Sequence, residues 1–141
     1  MSLRLEHVIE VSATPEEVWR FIADPEQRAR YISVVEDYTI EGDRAATWEI
    51  ALPIPVIDST ITVKTEDVER RDPEFVKFVG RSRAVRVVGE HELTPTEAGT
   101  RLTNTFTVEG RLPGVERFFK KNLEAEFENL EDGLEAFLAK K

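Results

Sequence analysis

A chain of 141 residues, 40% of them hydrophobic, is long enough for one domain with a buried core. Its 28 acidic and 19 basic residues give a net charge of −9, which argues against nucleic acid and anionic lipid surfaces as partners, because both repel a negative protein. The absence of cysteine excludes disulfides, thiolate nucleophiles and cysteine metal sites. No leader segment or bilayer-length apolar run is recognisable, so we expect a cytoplasmic protein without stable membrane insertion.

The first elements are a strand and two short helices. Hydrophobic and polar residues alternate from Leu3 to Val11, which is typical of a strand with one wet face. Thr14-Pro15-Glu16-Glu17 is a capping box that predicts a short helix with a buried stripe. Asp24-Pro25 repeats the start signal and predicts a second short helix ending near Tyr31.

Six further strands are predicted, separated mostly by turns containing Gly, Asp or Pro. Because the connections are short, neighbouring strands must be antiparallel and form a meander. The Pro53-Ile54-Pro55 stretch cannot donate to a sheet at either proline and marks a break or an edge. The predicted bounds are Val34–Glu41, Ala45–Leu52, Asp58–Glu69, Glu74–Gly80, Ala84–Thr94 and Thr100–Glu109.

The hydrophobic period becomes helical after Pro113-Gly114. From Val115 to Leu138 apolar residues recur at steps of three and four, which predicts an amphipathic helix of roughly 36 Å. Gly133 lies near its apolar stripe, and we expect the helix to approach the sheet closely there. The elements together predict a single α+β domain, residues 1–141, with a seven-stranded antiparallel sheet wrapped around the long helix.

Two stretches resemble the START-like (SRPBCC) superfamily, which includes polyketide cyclases, birch-pollen-allergen-like proteins, coenzyme-Q-binding proteins and a family of carbon monoxide dehydrogenase subunits. They are IEVSATPEEVWRFIADPEQ (9–27), similar to its first strand and capped helix, and GEHELTPTEAGTRLTNTFTVEG (89–110), similar to its final hairpin. The resemblance covers essentially the whole chain and implies the helix-grip fold. By analogy with that fold, we expect a cavity between the sheet, the two short helices and the front half of the long helix. The resemblance implies no catalytic residue, because the superfamily supports carriers, enzymes and accessory subunits on one scaffold.

A row of polar residues on the predicted inward face is the main candidate site. The register of the last hairpin places His91 opposite Asn104, and the family's pairing of the first strand with the last places His7 beside Asn104. The row can hydrogen-bond a ligand carbonyl or hydroxyl, or relay a proton. It can equally be a structural network in which Asn104 bridges two neutral imidazoles. A third strong ligand is missing, so we expect no metal.

Other side chains are predicted to contact a ligand from the surrounding elements. Phe118, Asn122 and Phe127 lie on the long helix toward the expected open end of the grip. Tyr31, at the end of the second helix, could gate an entrance or donate a hydrogen bond. Trp48 shares a strand face with Ile50 and Leu52, a pattern more typical of plain core than of a ligand lining.

The function expected from these observations is binding or carrying a hydrophobic small molecule, such as a lipid, isoprenoid, quinone or polyketide, without a cofactor. A polyketide cyclase or dehydratase-type enzyme that uses the cavity histidines is one alternative. An accessory subunit that acts on a protein partner through its surface is the other. No phosphate-binding glycine loop or nucleophile motif is present in the sequence.

Overall fold

A computed structural model describes residues 2–52 and 60–140 of the chain. The Pro53-Ile54-Pro55 stretch and the predicted strand start at Asp58 lie outside the described residues. In chain order the elements are β1 (Leu3–Val11), α1 (Pro15–Ile22), α2 (Pro25–Tyr31), β2 (Val35–Ile40), β3 (Ala45–Ile50), β4 (Ile61–Arg71), β5 (Phe75–Arg81), β6 (Val85–Pro95), β7 (Thr100–Gly110) and α3 (Val115–Ala139).

The strands form one seven-stranded antiparallel sheet in the order β1-β7-β6-β5-β4-β3-β2. From β2 to β7 each strand pairs with the next along the chain, and β1 closes the far edge beside β7. This arrangement confirms the predicted meander and the helix-grip fold class. Apart from the start of β4, the described strand ends fall within two residues of the predicted bounds.

The two short helices begin where the capping signals predicted. The Thr14 hydroxyl accepts the amide N–H of Glu17, and the Glu17 carboxylate accepts the backbone N–H of Thr14 in return. The Asp24 carboxylate accepts the amide N–H of Glu26 at 2.9 Å and starts α2. Each cap satisfies backbone donors that the first turn of a helix otherwise leaves unpaired.

The long helix α3 packs its apolar stripe against the sheet and against α1 and α2. It follows Gly114, whose φ of 91° favours glycine over any residue with a side chain. The prediction that α3 approaches the sheet closely at Gly133 is wrong, because a different element lies against this glycine. A Cβ at Gly133 would lie 3.2 Å from Cζ of Phe21 in α1, so this glycine admits the short helix and not the sheet. None of the described helices is long and apolar enough to span a membrane.

Candidate ligand-binding cavity

An apolar cavity lies between the sheet, the segment after α2 and the first half of α3. Its volume is ≈ 40 Å³. The position agrees with the one expected for the sheet and for α3, whereas the short helices contribute through the segment that follows them. The lining residues are Ile32, Val34, Trp48, Ile50, Val63, Val85, Val87, Phe106, Val108, Phe119, Leu123 and Glu126.

Trp48 is the predicted ligand-contacting residue that lines this cavity. Its indole is 3% exposed, and its Nε1 has no hydrogen-bond partner in the described part of the chain. Phe127 lies just beyond the lining, with its ring centroid 5.5 Å from that of Phe106. The binding role of both residues stays a prediction.

The other predicted helix residues, Phe118 and Asn122, lie outside the lining. Helical geometry is the reason, since Phe119 and Leu123 occupy the stripe that faces the sheet and a shift of one residue turns a side chain by about 100°. Phe118 packs edge-on against Phe119. The Asn122 amide donates at 2.7 Å to the carbonyl of Phe118 on its own helix.

Tyr31 lies on the other side of the segment after α2, in a surface groove between the two short helices and the second half of α3. Its ring is buried, and its hydroxyl has no hydrogen-bond partner among the described residues. Burial raises the pKa of this hydroxyl, with the charge of Arg28 opposing that rise and the charge of Glu126 adding to it. A gating role for Tyr31 stays a prediction.

The predicted polar row has the expected register, with His7 opposite Asn104 and Asn104 opposite His91. His91 and Asn104 are fully buried, and His91 Nδ1 lies 2.7 Å from the Asn104 side-chain oxygen. Burial lowers the pKa of His91 to about 3; the hydrogen bond to Asn104 partly opposes this, and the charge of Arg28 adds to it. The pair is therefore a neutral hydrogen-bonded unit inside the sheet.

His7 separates from this pair. Its ring stacks on Phe127 of α3 with centroids 4.9 Å apart, and its Nε2 lies 3.8 Å from Oε1 of Glu131. The side chain of His7 is 28% exposed. Asn104 thus bonds one imidazole and does not bridge two, because the stacking on α3 directs His7 toward the helix. None of the three row residues lines the cavity, and their role in binding stays a prediction.

A buried ion pair that the sequence analysis missed joins α2 to β4. Arg28 is 1% exposed and donates to Asp67 at 2.7 Å, and its guanidinium lies 4.3 Å from the centroid of the Phe78 ring. Asp67 had a readable signal, since it follows Ile61, Val63 and Thr65 at every second, inward position of β4. Arg28 had none, because its partner lies 39 residues away.

Sequence analysis also missed Glu126, the only charged side chain among the described residues that line the cavity. It is 5% exposed and accepts two hydrogen bonds from Ser33, one from the amide N–H at 2.8 Å and one from the hydroxyl. Burial raises the pKa of Glu126, against the lowering effect of both Ser33 bonds. A sequence signal existed, because Glu126 stands three residues after Leu123 and four before Leu130, inside the apolar stripe.

Over residues 2–52 and 60–140, no three His, Asp or Glu side chains are grouped so that they could hold a metal ion. Three side-chain hydrogen-bonded pairs instead contain buried polar residues: Arg28–Asp67, His91–Asn104 and Glu126–Ser33. Of these three pairs, the last alone has a member in the cavity lining.

The fold and the cavity define a START-like, helix-grip ligand-binding domain. Residues 2–135 match the model of the polyketide cyclase / dehydrase and lipid transport family, and the chain belongs to that family. No curated protein matches the sequence.

Solved structures share this fold at low sequence identity. A conserved protein from Geobacillus kaustophilus is 20% identical with a TM-score of 0.79, covering 98% of this chain and 96% of its own. An aromatase/cyclase from a Streptomyces species is 17% identical with a TM-score of 0.73, covering 97% and 94%. A START superfamily protein from Mycobacterium smegmatis is 15% identical with a TM-score of 0.72, covering 94% of each chain. At these identities the likeness concerns the fold alone.

Proposed function

We propose that the protein binds and carries a mostly apolar small molecule, of the lipid, isoprenoid, quinone or polyketide kind, between its sheet and α3. The observation that carries this proposal is the cavity lining, in which every residue named except Glu126 is hydrophobic. Burial of apolar ligand surface there would contribute about 25 cal/mol per Å² before the costs of association.

The size of the cavity requires the walls to move when such a ligand enters. Ligand sites usually measure about 300–1,000 Å³, well above the ≈ 40 Å³ of this cavity. The sheet wall is held by backbone hydrogen bonds on both sides of its inner strands. The segment from Ile32 to Val34 is held to α3 by the Ser33–Glu126 contacts, so this wall is the one we expect to yield.

Native mass spectrometry of the purified protein, followed by solvent extraction of anything bound, tests the proposal. We expect a co-purifying hydrophobic molecule in the wild type. Val87→Phe places a ring in the cavity and should remove the bound molecule, at a stability cost of about 1–3 kcal/mol for overpacking. Val8→Phe is the matched control, since Val8 is 47% exposed on β1 and lies outside the lining.

The small cavity also favours a second candidate, an accessory protein that acts through its outer surface. On that account Val87→Phe and the wild type would behave alike, and nothing hydrophobic would be extracted from either. Imidazole catalysis has less support, because His91 is fully buried and neither histidine lines the cavity. An enzyme of the cyclase type would require substrate to reach those rings.

A further inference from the structure

The buried position of Glu126 is energetically unfavourable for a carboxylate. A buried carboxylate loses its hydration, and it is usually compensated by a cation. Among the described residues, no Lys, Arg or His forms an ion pair with Glu126. Its partners are the amide N–H and the hydroxyl of Ser33, which are neutral donors.

A purely structural role does not require this charge. A glutamine at position 126 could accept the Ser33 amide N–H with its oxygen and donate to the Ser33 hydroxyl with its nitrogen. Such an amide would hold the segment after α2 to α3 without the desolvation cost of a carboxylate. A carboxyl group at this position, in place of an amide, therefore points to a function in the cavity that Glu126 lines.

The position of Ser33 suggests how a ligand reaches this carboxylate. Ser33 is exposed and lines the groove between the short helices and the second half of α3, whereas Glu126 lines the cavity. Ile32 and Val34, on either side of Ser33, also line the cavity. The Ser33–Glu126 contacts thus separate the groove from the cavity, and their exchange for a ligand contact would join the two spaces.

We propose that Glu126 recognises the ligand by accepting a hydrogen bond from its hydroxyl group, and that this hydroxyl replaces the Ser33 hydroxyl on the carboxylate. The inference rests on the proposed binding function and specifies its ligand class as an apolar molecule that carries an alcohol or phenol. The backbone N–H of Ser33 keeps the second carboxylate oxygen. Trp48, in the same lining, has an Nε1–H without a partner in the described residues, which suits an oxygen acceptor elsewhere on the ligand.

A matched pair of probes tests this proposal. β-Naphthol and its methyl ether have the same ring system, but only the naphthol donates a hydrogen bond. Isothermal titration calorimetry at mildly alkaline pH should show the naphthol binding the wild type about tenfold or more tightly than the ether, as expected for a hydrogen bond to a charged group. In Glu126→Gln, which preserves both Ser33 contacts, the preference should fall to near unity.

Ser33→Ala supplies an independent readout if Glu126→Gln proves unstable. It frees one carboxylate oxygen, so naphthol should bind more tightly than in the wild type while binding of the ether changes less. Equal affinity of the wild type for both probes, or an unchanged preference in Glu126→Gln, would overturn the role of Glu126 and leave the binding function standing. Failure of the wild type to bind either probe would overturn the proposed function and this inference together.

Discussion

The His91–Asn104 pair and the Glu126–Ser33 pair each contain a buried polar side chain on the inner side of the sheet, yet their surroundings differ. His91 and Asn104 lie on adjacent strands, where sheet register fixes their positions and excludes solvent. Glu126 lies on a helix beside a cavity, and its partner sits on an irregular segment. Neither residue of the first pair lines the cavity, whereas a polar group that lines a cavity can exchange its partner for a ligand.

The two pairs also differ in charge. Burial keeps the His91 ring neutral by lowering its pKa, so the pair carries no charge to stabilise. Burial raises the pKa of Glu126, so the carboxylate is held in its charged form only against a penalty. We therefore assign the first pair to the structure of the sheet and the second to ligand recognition.

The largest expected effect is a loss of stability in acid caused by the buried His91–Asn104 pair. The pKa of His91 is about 3 in the folded chain, against its ordinary value of 6.5. Between these two pH values the imidazole of His91 therefore binds a proton in the unfolded chain but not in the folded chain. The stability that this histidine contributes is present above pH 6.5 and is lost as pH falls toward 3, by on the order of 5 kcal/mol. Urea unfolding of the wild type and His91→Gln across this range measures the loss.

His7→Gln is the matched control for that experiment, since His7 is partly exposed and is not part of the His91–Asn104 pair. We expect the free energy of unfolding of His91→Gln to fall less with decreasing pH than that of the wild type. The pH dependence of His7→Gln should stay close to that of the wild type. If the free energy of unfolding fell equally with decreasing pH in His91→Gln and in the wild type, His91 would not be held neutral by the fold.

The second largest effect concerns the buried ion pair Arg28–Asp67. Asp67→Ala leaves the guanidinium of Arg28 buried without its carboxylate, which should cost about 4 kcal/mol of unfolding free energy. Chemical denaturation measures this cost. Glu10→Ala is the control, since its ion pair with Arg101 is exposed and should contribute little. An Asp67→Ala protein as stable as the control would contradict the structural role of this pair.

A smaller effect, of opposite sign in pH, is expected from Glu126. A carboxyl group with a raised pKa in the folded state favours folding most below its ordinary value of 4.5, and this contribution is lost as pH rises through its folded pKa. Glu126→Gln should therefore gain stability relative to the wild type as pH rises through this range. Thermal unfolding at several pH values measures the difference, and parallel curves would show that the carboxylate is not penalised by burial.

Much of the fold could be predicted because it depends on local patterns. The caps at Thr14 and Asp24 and the strand alternation specified element positions. The last hairpin then gave the register of His91 with Asn104, and the family's strand pairing placed His7 beside Asn104. The partner of Gly133 could not be predicted, since a glycine in a helix indicates close approach but not which element approaches.

The cavity residues were predicted less well because they depend on rotation and on distant contacts. Phe118 and Phe119 are adjacent in sequence, and only packing decides which one faces the sheet. Glu126 was not among the predicted site residues, although its spacing places it in the apolar stripe. Its contact with Ser33, 93 residues earlier, has no local signature.

The entry of an apolar molecule beneath α3 is the central claim, and the two tryptophans of the chain test it directly. Trp48 lines the cavity, whereas Trp19 lies in a surface depression with the Arg70 guanidinium 5.7 Å from the centroid of its ring. Nuclear magnetic resonance of the two indole N–H groups, assigned with Trp19→Phe, follows a titration with naphthalene. We predict a saturable shift of the Trp48 signal with the Trp19 signal unmoved. A stationary Trp48 signal, or a shift confined to Trp19, would contradict the account.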